Sequence, residues 1–211
     1  MTAPAHRPAE LKAALILVGV ILTEGCWLFV NVYSHPARFF RYAGFPPSAT
    51  GGLEWLLAGL IAIVYITCSA RLPSVRANLF RPSPLKLLAI PMAVVSGFCE
   101  ECIFRKWFMD LLLREGWTLG AQVLASALAF GLAHAVWGLA RGSIGAALRA
   151  TVATGTLGFA LALLYGASHR EVAACVVAHA LINLFAEPGL ILAAVRGEMG
   201  GTVVGGSGRP E

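Results

Sequence analysis

Apolar residues in this chain are gathered into long blocks, and this arrangement constrains the fold more than any other feature. Each block approaches or exceeds the ~18–20 residues that cross the hydrocarbon layer of a bilayer. Charged residues make up only 13% of the 211 residues, against roughly 25% in a soluble domain. We therefore predict an all-α polytopic transmembrane bundle of about six spans. The spans are predicted at about residues 11–33, 52–70, 87–113, 118–139, 144–166 and 171–195.

The basic residues lie mostly between these blocks, so the net charge of +5 indicates membrane topology and anionic lipid contacts. It does not favour nucleic-acid binding. If the N-terminus is cytoplasmic, ten of the Lys and Arg residues outside the spans lie on the cytoplasmic side and four on the other side. We expect a cytoplasmic (inner) membrane protein with both termini inside.

The chain is predicted to be one integral membrane domain over residues 1–211. The first apolar block is too long for the ~7–15-residue core of a signal peptide, so we expect it to be a retained span. The Gly-rich tail, residues 197–211, is predicted to be disordered.

Three groups of polar residues fall inside the later blocks, where a charge costs several kcal/mol and usually marks a functional site. In the first, Glu101 and Arg105 are four residues apart in the favoured ion-pair order, while Glu100 points about 100° away. One carboxylate can thus be neutralised while the other faces a cavity as a general base or acid.

The other two groups supply the remaining parts of a hydrolytic site. His134 follows Phe130 by one helical turn, and Asn183 follows His179 by the same interval. A His and an Asn on one helix face can both donate hydrogen bonds to an oxyanion. A base, a second His to hold water and two donors are what hydrolysis of an amide requires.

Other features favour packing over function. Glu24 is the one acid of the first span, and we expect it to have no catalytic role. Cys99 and Cys102 straddle the two glutamates as a C-x-x-C without a second pair, which indicates buried packing. Small residues such as Gly131 and Gly158 recur at helical spacing and predict close helix approach.

The three groups together, Glu-Glu-x-x-x-Arg, Phe-x-x-x-His and His-x-x-x-Asn in apolar segments, resemble the CPBP family. This is the CAAX protease and bacteriocin-processing (Abi) family of Rce1-like glutamic intramembrane proteases. The resemblance places a catalytic core at residues 85–195. One departure is Lys106, which stands where the family motif continues Arg-Gly.

The resemblance implies that Glu100 and His134 activate a water and that His179 and Asn183 form the oxyanion hole. Glu101 and Arg105 match the supporting part of the first motif. The chain has no His-Glu-x-x-His zinc motif, and we expect no cofactor. The alternative is a metallo-type site in which Glu100, His134 and His179 bind zinc.

The predicted function is an intramembrane endopeptidase acting near the C-terminus or a membrane-proximal segment of a protein or peptide. CAAX-type, bacteriocin-type and sorting-signal tails are the substrates that the resemblance implies. The expected partners are this substrate and the lipid bilayer, with no nucleic acid. The alternative is a non-enzymatic membrane protein, such as a transporter or an immunity protein, in which buried Glu and His relay protons.

Overall fold

The computed structural model describes residues 7–33, 35–139 and 143–198, and all regular structure in these ranges is helical. The chain is thus an all-α bundle, as predicted. A π-helix at Cys102–Met109 continues α5 directly. The α-helices are α1 (Arg7–Tyr33), α2 (Pro36–Ala43), α3 (Gly52–Ser69), α4 (Pro73–Asn78), α5 (Pro84–Glu101), α6 (Asp110–Arg114), α7 (Leu119–His134), α8 (Val136–Leu139), α9 (Ile144–Ala167), α10 (Ala173–Phe185) and α11 (Glu187–Arg196).

Four helical segments of the described chain are long and apolar enough to cross a membrane: α1, α3, α9 and the continuous run Pro84–Arg114. The pair α10 and α11 forms a fifth candidate, bent by 48° at Ala186. By these criteria, four or five of the about six predicted spans are long and apolar enough to cross a membrane. The difference lies in the predicted fourth span.

That fourth span was predicted at residues 118–139 but forms only the 16-residue helix α7. At 1.5 Å per residue it is about 24 Å long, short of the ~30 Å hydrocarbon layer. Its last residue, His134, therefore lies at the end of a helix and not inside a continuous span. Helix α10 is also short and ends at Phe185. Both of these motif-bearing helices therefore terminate within the bundle.

The antiparallel helices α7 and α9 pack at very short range because small residues face each other. A Cβ at Gly131 would lie 2.5 Å from the carbonyl oxygen of Thr151. One at Gly158 would lie 3.1 Å from the side chain of Phe130. Any side chain at Gly131 would push the helices apart, so this glycine fixes where His134 is held. The small-residue packing predicted for these two helices is confirmed.

The two ends of the described chain lie at the same end of the bundle. Ala13 and Leu17 of α1 pack with Leu85 at the start of α5 and with Leu192 of α11. Gly197 ends α11 with a φ of 81°. The next residue, Glu198 of the tail that was predicted to be disordered, accepts a hydrogen bond from Ser74 Oγ at 2.5 Å. Residues 199–211 of that tail lie outside the described residues.

At the opposite end, the loop after α1 contains the short helix α2, which the sequence analysis did not predict. Phe39 and Phe40 pack against Phe98 of α5 with ring centroids 5.9 Å apart in each pair. These contacts hold α2 on the surface of the bundle. Exposed aromatic residues cluster at this end, as at a membrane–water boundary. They are Tyr33, Tyr42, Trp107 and Trp117.

Candidate active site

The first motif lies where α5 passes into the π-helix, a distortion that occurs frequently at functional sites. Glu101 and Arg105 are both completely buried, and Arg105 Nε lies 3.1 Å from Glu101 Oε2. The guanidinium also donates to the carbonyl oxygen of Gly158 at 3.4 Å. Buried charges are stable only when paired in this way, so Glu101 and Arg105 form the fixed part of the site.

Glu100 lies on the same turn but is held much more loosely. Ser96 Oγ donates to Glu100 Oε1 at 2.7 Å. The other oxygen, Oε2, is buried and has no hydrogen-bond partner among the described residues. It lies 3.7 Å from His134 Nε2 and 4.0 Å from His179 Nε2. Glu100 therefore presents an uncommitted carboxylate oxygen to both imidazoles.

The two histidines are oriented by different partners. The Nδ1 of His134 lies 2.8 Å from the carbonyl oxygen of Phe130, so Nδ1 carries the proton and donates it. The Nδ1 of His179 lies 2.8 Å from Glu101 Oε1 and donates to that carboxylate. In both rings Nδ1 is thus occupied, and Nε2 is the atom directed towards Glu100.

Asn183 lies one helical turn after His179 on α10 and is buried, with 6% of its surface exposed. The close approach of α10 to α5 depends on Gly97, where a Cβ would lie 3.1 Å from the backbone nitrogen of Ala180. This contact brings the third motif against the first. In this way His179 meets Glu101, although 78 positions separate the two residues in the chain.

Phe130 forms one wall of the site. Its ring centroid lies 4.6 Å from that of His134 and 5.7 Å from that of His179. The Arg105 guanidinium carbon lies 4.7 Å from the same centroid, a cation–π contact. The aromatic residue predicted beside His134 is therefore in place, and it contacts residues of all three motifs.

Two further carboxylates border the site, and the sequence analysis assigned neither of them to it. Glu24 of α1, for which we expected no catalytic role, lies close enough to interact with Ser96 and with Glu100. Glu187, at the start of α11, interacts electrostatically with His134, Glu100 and His179. Each is an acid inside a predicted span, and this feature of the sequence could have identified it as a candidate site residue. The polar site extends over more helices than the three motifs indicated.

The other predictions concern two cysteines, Lys106 and two histidines. Cys99 and Cys102 are buried free cysteines, as the packing interpretation expected. Lys106 Nζ lies 3.2 Å from Asp110 Oδ2 and donates to the Arg170 carbonyl oxygen, so this side chain faces α6 and the turn after α9. His169 lies in the turn between α9 and α10, and His35 precedes α2.

The zinc alternative is poorly matched by the geometry. A tetrahedral site with bonds of about 2.0–2.1 Å places its ligand atoms roughly 3.3 Å apart. The separations of 3.7 Å and 4.0 Å from Glu100 Oε2 to the two imidazoles are wider than that. Within residues 7–33, 35–139 and 143–198, no three His, Cys, Asp or Glu side chains are arranged to hold a metal ion.

Comparison with protein-family models gives one match. Residues 82–185, about half of the chain, match the model described as type II CAAX prenyl endopeptidase Rce1-like. The matched segment includes Glu100, His134, His179 and Asn183. No curated protein and no solved structure matches the chain significantly. Through residues 82–185 the chain belongs to the Rce1-like family, which makes it an integral membrane protease of the CAAX type.

Proposed function

We propose that this protease cleaves peptide bonds near the C-terminus of membrane-associated CAAX-type substrates, using Glu100 and His134 to activate water. The observation that carries the proposal is the uncommitted Oε2 of Glu100, which faces His134 Nε2 at 3.7 Å. With Nδ1 of His134 donating to Phe130, the neutral ring has only a lone pair at Nε2. A water bound beside these two acceptors would donate one O–H to each.

The chemical step follows from these positions. Glu100 takes a proton from the water while its oxygen attacks the scissile carbonyl carbon, and the carbonyl π electrons move to oxygen. Collapse of the tetrahedral intermediate re-forms the carbonyl and breaks the C–N bond. The protonated Glu100 then gives its proton to the departing amine. His134 orients the water during attack, and the second proton of the water stays on the new carboxyl group of the product.

The oxyanion is assigned to His179 and Asn183. Because Nδ1 of His179 donates to Glu101, His179 can donate to a substrate oxygen only through Nε2–H, with the ring protonated. Glu101 then serves as its counterion, and Arg105 fixes Glu101. Asn183 adds a neutral donor from the next turn. Glu101 and Arg105 are accordingly positioning residues.

We assign no metal to this mechanism, because Glu100 and His134 supply the two acceptors that a water needs and His179 with Asn183 supplies the donors for the oxyanion. We place the chain in the cytoplasmic membrane with both termini inside. The division of basic residues supports this orientation, as does the packing of Ala13 near Leu192 at one end of the bundle.

The experiment uses the purified full chain in lipid nanodiscs with a prenylated CAAX-type peptide and its unprenylated twin. Mass spectrometry of the products should show a single cleavage near the C-terminus, faster for the prenylated peptide. Activity should survive exhaustive dialysis against a chelator, with no stoichiometric zinc by elemental analysis. One zinc per chain, with activity that returns only on adding it back, would refute the metal-free mechanism. Uncleaved peptides of both kinds would refute the substrate class.

A further inference from the structure

A second polar cavity lies away from the candidate active site, at the end of the bundle that carries α2. It has a volume of about 300 Å³ and is walled by α2 and the loop after it, by the π-helix, and by the turn between α9 and α10. Arg41, Lys106 and Arg170 contribute basic side chains to it, and Tyr42 and Glu171 complete the polar wall. Arg41 is exposed, which leaves the cavity open towards α2.

The carboxylates of this region already accept hydrogen bonds or form ion pairs with neighbouring side chains. Asp110 accepts hydrogen bonds from Tyr165 at 2.9 Å and from Arg170 at 2.8 Å, and it pairs with Lys106 at 3.2 Å. Two acids, Asp110 and Glu171, stand against three bases. Arg114 also acts electrostatically on Tyr42 of the cavity wall, so bases outnumber acids in this region.

Glu171 is committed to the backbone of the neighbouring loop. Both of its oxygens accept hydrogen bonds from residues 48–50, at 2.7–3.0 Å. Burial raises the pKa of this carboxyl, but the hydrogen bonds from Ser48, Thr50 and Ala49 outweigh burial and lower it to about 2. Glu171 is thus ionised at neutral pH and fixes the loop that forms one side of the cavity.

The turn on the other side holds two residues in an unfavourable backbone conformation. His169 and Arg170 have φ values of 53° and 65°, although neither is glycine. Such a conformation costs of order 1–3 kcal/mol and clusters at binding sites. Here it is maintained by the bonds of Arg170 to Asp110 and Gln122, and by Lys106 Nζ, which donates to the Arg170 carbonyl oxygen at 3.2 Å. The basic groups are therefore held in place before any ligand binds.

The level of the cavity relative to the membrane surface follows from the aromatic residues beside it. Tyr42 and Trp107 come from two of the segments that wall the cavity, and both belong to the exposed aromatic cluster described above. Aromatic residues of this kind lie at the level of lipid headgroups. An anion that reaches the cavity from the membrane surface is therefore at the depth of phosphate groups.

We propose that this cavity binds a singly charged phosphate group, with Arg41 as its exposed contact and Lys106 and Arg170 as its inner wall. A phosphodiester carries one negative charge, which the excess of basic side chains around the cavity attracts. A guanidinium is well suited to phosphate because its N–H groups match the phosphate oxygens in pairs. The phosphate could come from an anionic lipid headgroup or from a soluble phosphate.

The test uses the full chain in nanodiscs that contain equal amounts of phosphatidylglycerol and phosphatidylcholine, with bound lipid measured by native mass spectrometry. The informative variant is Arg41→Gln, since Arg41 is exposed and its Nε bonds only within its own helix, to Ala37. The matched control is Arg38→Gln, which removes the same charge from the same helix but lies outside the cavity. A lost charged contact should weaken phosphatidylglycerol retention about tenfold in Arg41→Gln. Retention by Arg38→Gln should be unchanged.

Two further arms identify the source of the phosphate. Inorganic phosphate or glycerol 3-phosphate that displaces the retained lipid would support phosphate binding from a soluble source. Retention that resists both would support the lipid headgroup. Equal losses in Arg38→Gln and Arg41→Gln, or no preference for phosphatidylglycerol in the parent chain, would overturn the proposal. Displacement by a peptide with a free C-terminal carboxylate, but not by phosphate, would overturn it as well.

Discussion

The chain contains two polar clusters that are built from similar residues but differ in how fully their carboxylate oxygens are bonded. The catalytic cluster (Glu100, Glu101, Arg105, His134, His179) lies among α5, α7 and α10. The interfacial cluster (Lys106, Asp110, Tyr165, Arg170) lies farther along the same π-helix and α6. Asp110 is bonded by three neighbours, whereas Glu100 Oε2 has no hydrogen-bond partner among the described residues.

The difference is between carboxylates whose two oxygens are both paired and one that keeps an oxygen available. Glu101 behaves like Asp110, because Arg105 and His179 occupy its oxygens. Glu100 differs from both: only one of its oxygens is engaged, by Ser96. A carboxylate that must take a proton from water needs an available lone pair, and a fully bonded carboxylate has none. We therefore expect substitution of Glu100 to lower activity, and substitution of a fully bonded carboxylate such as Glu101 to lower stability.

The largest effect is expected for Glu100→Gln. An amide cannot accept a proton from water, so kcat should fall by about 10⁴, the upper range for a general base. The thermal unfolding temperature should change little, because Glu100 has few partners to lose. Peptide cleavage and thermal unfolding are measured on the same preparation. The control is Glu115→Gln at an exposed acid, which should retain full activity. A Glu100→Gln variant with more than a tenth of the parent rate would rule out this base.

Glu101→Gln should act mainly on stability. The substitution leaves Arg105 buried without its carboxylate, and breaking a buried pair costs about 3–5 kcal/mol. Chemical denaturation in detergent should show this loss in the free energy of unfolding. Any folded fraction should show slower turnover than the parent, since His179 loses its counterion. If Glu101→Gln and Glu100→Gln lost stability and activity equally, the division between fixed and reactive carboxylates would be wrong.

Asn183→Ala should lower kcat by about 10²–10³, the usual loss for one oxyanion donor, with little change in KM. A loss confined to KM would instead assign Asn183 to substrate binding. The control is Asn31→Ala, since Asn31 bonds only to the Trp27 carbonyl oxygen one turn earlier in α1. Steady-state kinetics on one peptide at several concentrations separates kcat from KM.

The smallest effect is expected at Glu171, outside the catalytic cluster. Its pKa of about 2 in the folded chain is below the ordinary value of 4.5. Its stabilisation is therefore complete above about pH 4.5 and is lost as the pH falls towards 2. Glu171→Gln should cost about 1–3 kcal/mol at neutral pH, because an amide nitrogen cannot accept the loop hydrogen bonds.

The pH dependence supplies the check on that prediction. Thermal unfolding is recorded between neutral pH and pH 3 for the parent chain and for Glu171→Gln. The gap between the two curves should narrow as the pH falls, since protonation removes the parent's advantage. A constant gap would show that Glu171 stabilises the loop by packing and not by charge. Peptide cleavage at neutral pH should be nearly unchanged in the variant.

The sequence by itself determined the all-helical membrane fold and the local pairs within each motif. The apolar blocks leave few alternatives to helices, since backbone groups in lipid must be bonded within their own segment. The pair Glu101–Arg105 and the succession His179–Asn183 follow from a four-residue spacing on one helix. These relations need no knowledge of how the helices pack.

Tertiary structure decided how the three motifs meet and which further acidic residues lie beside them. The end of α7 at His134 and the 48° bend between α10 and α11 set the depth of the site. Glu24 and Glu187 reach Glu100 from helices without a recognisable motif. The contact of Glu171 with Ser48 joins residues 123 positions apart, and it shapes the interfacial cavity. Such contacts depend on side-chain shape at helix crossings, as at Gly97 and Gly131, which periodicity along one chain does not encode.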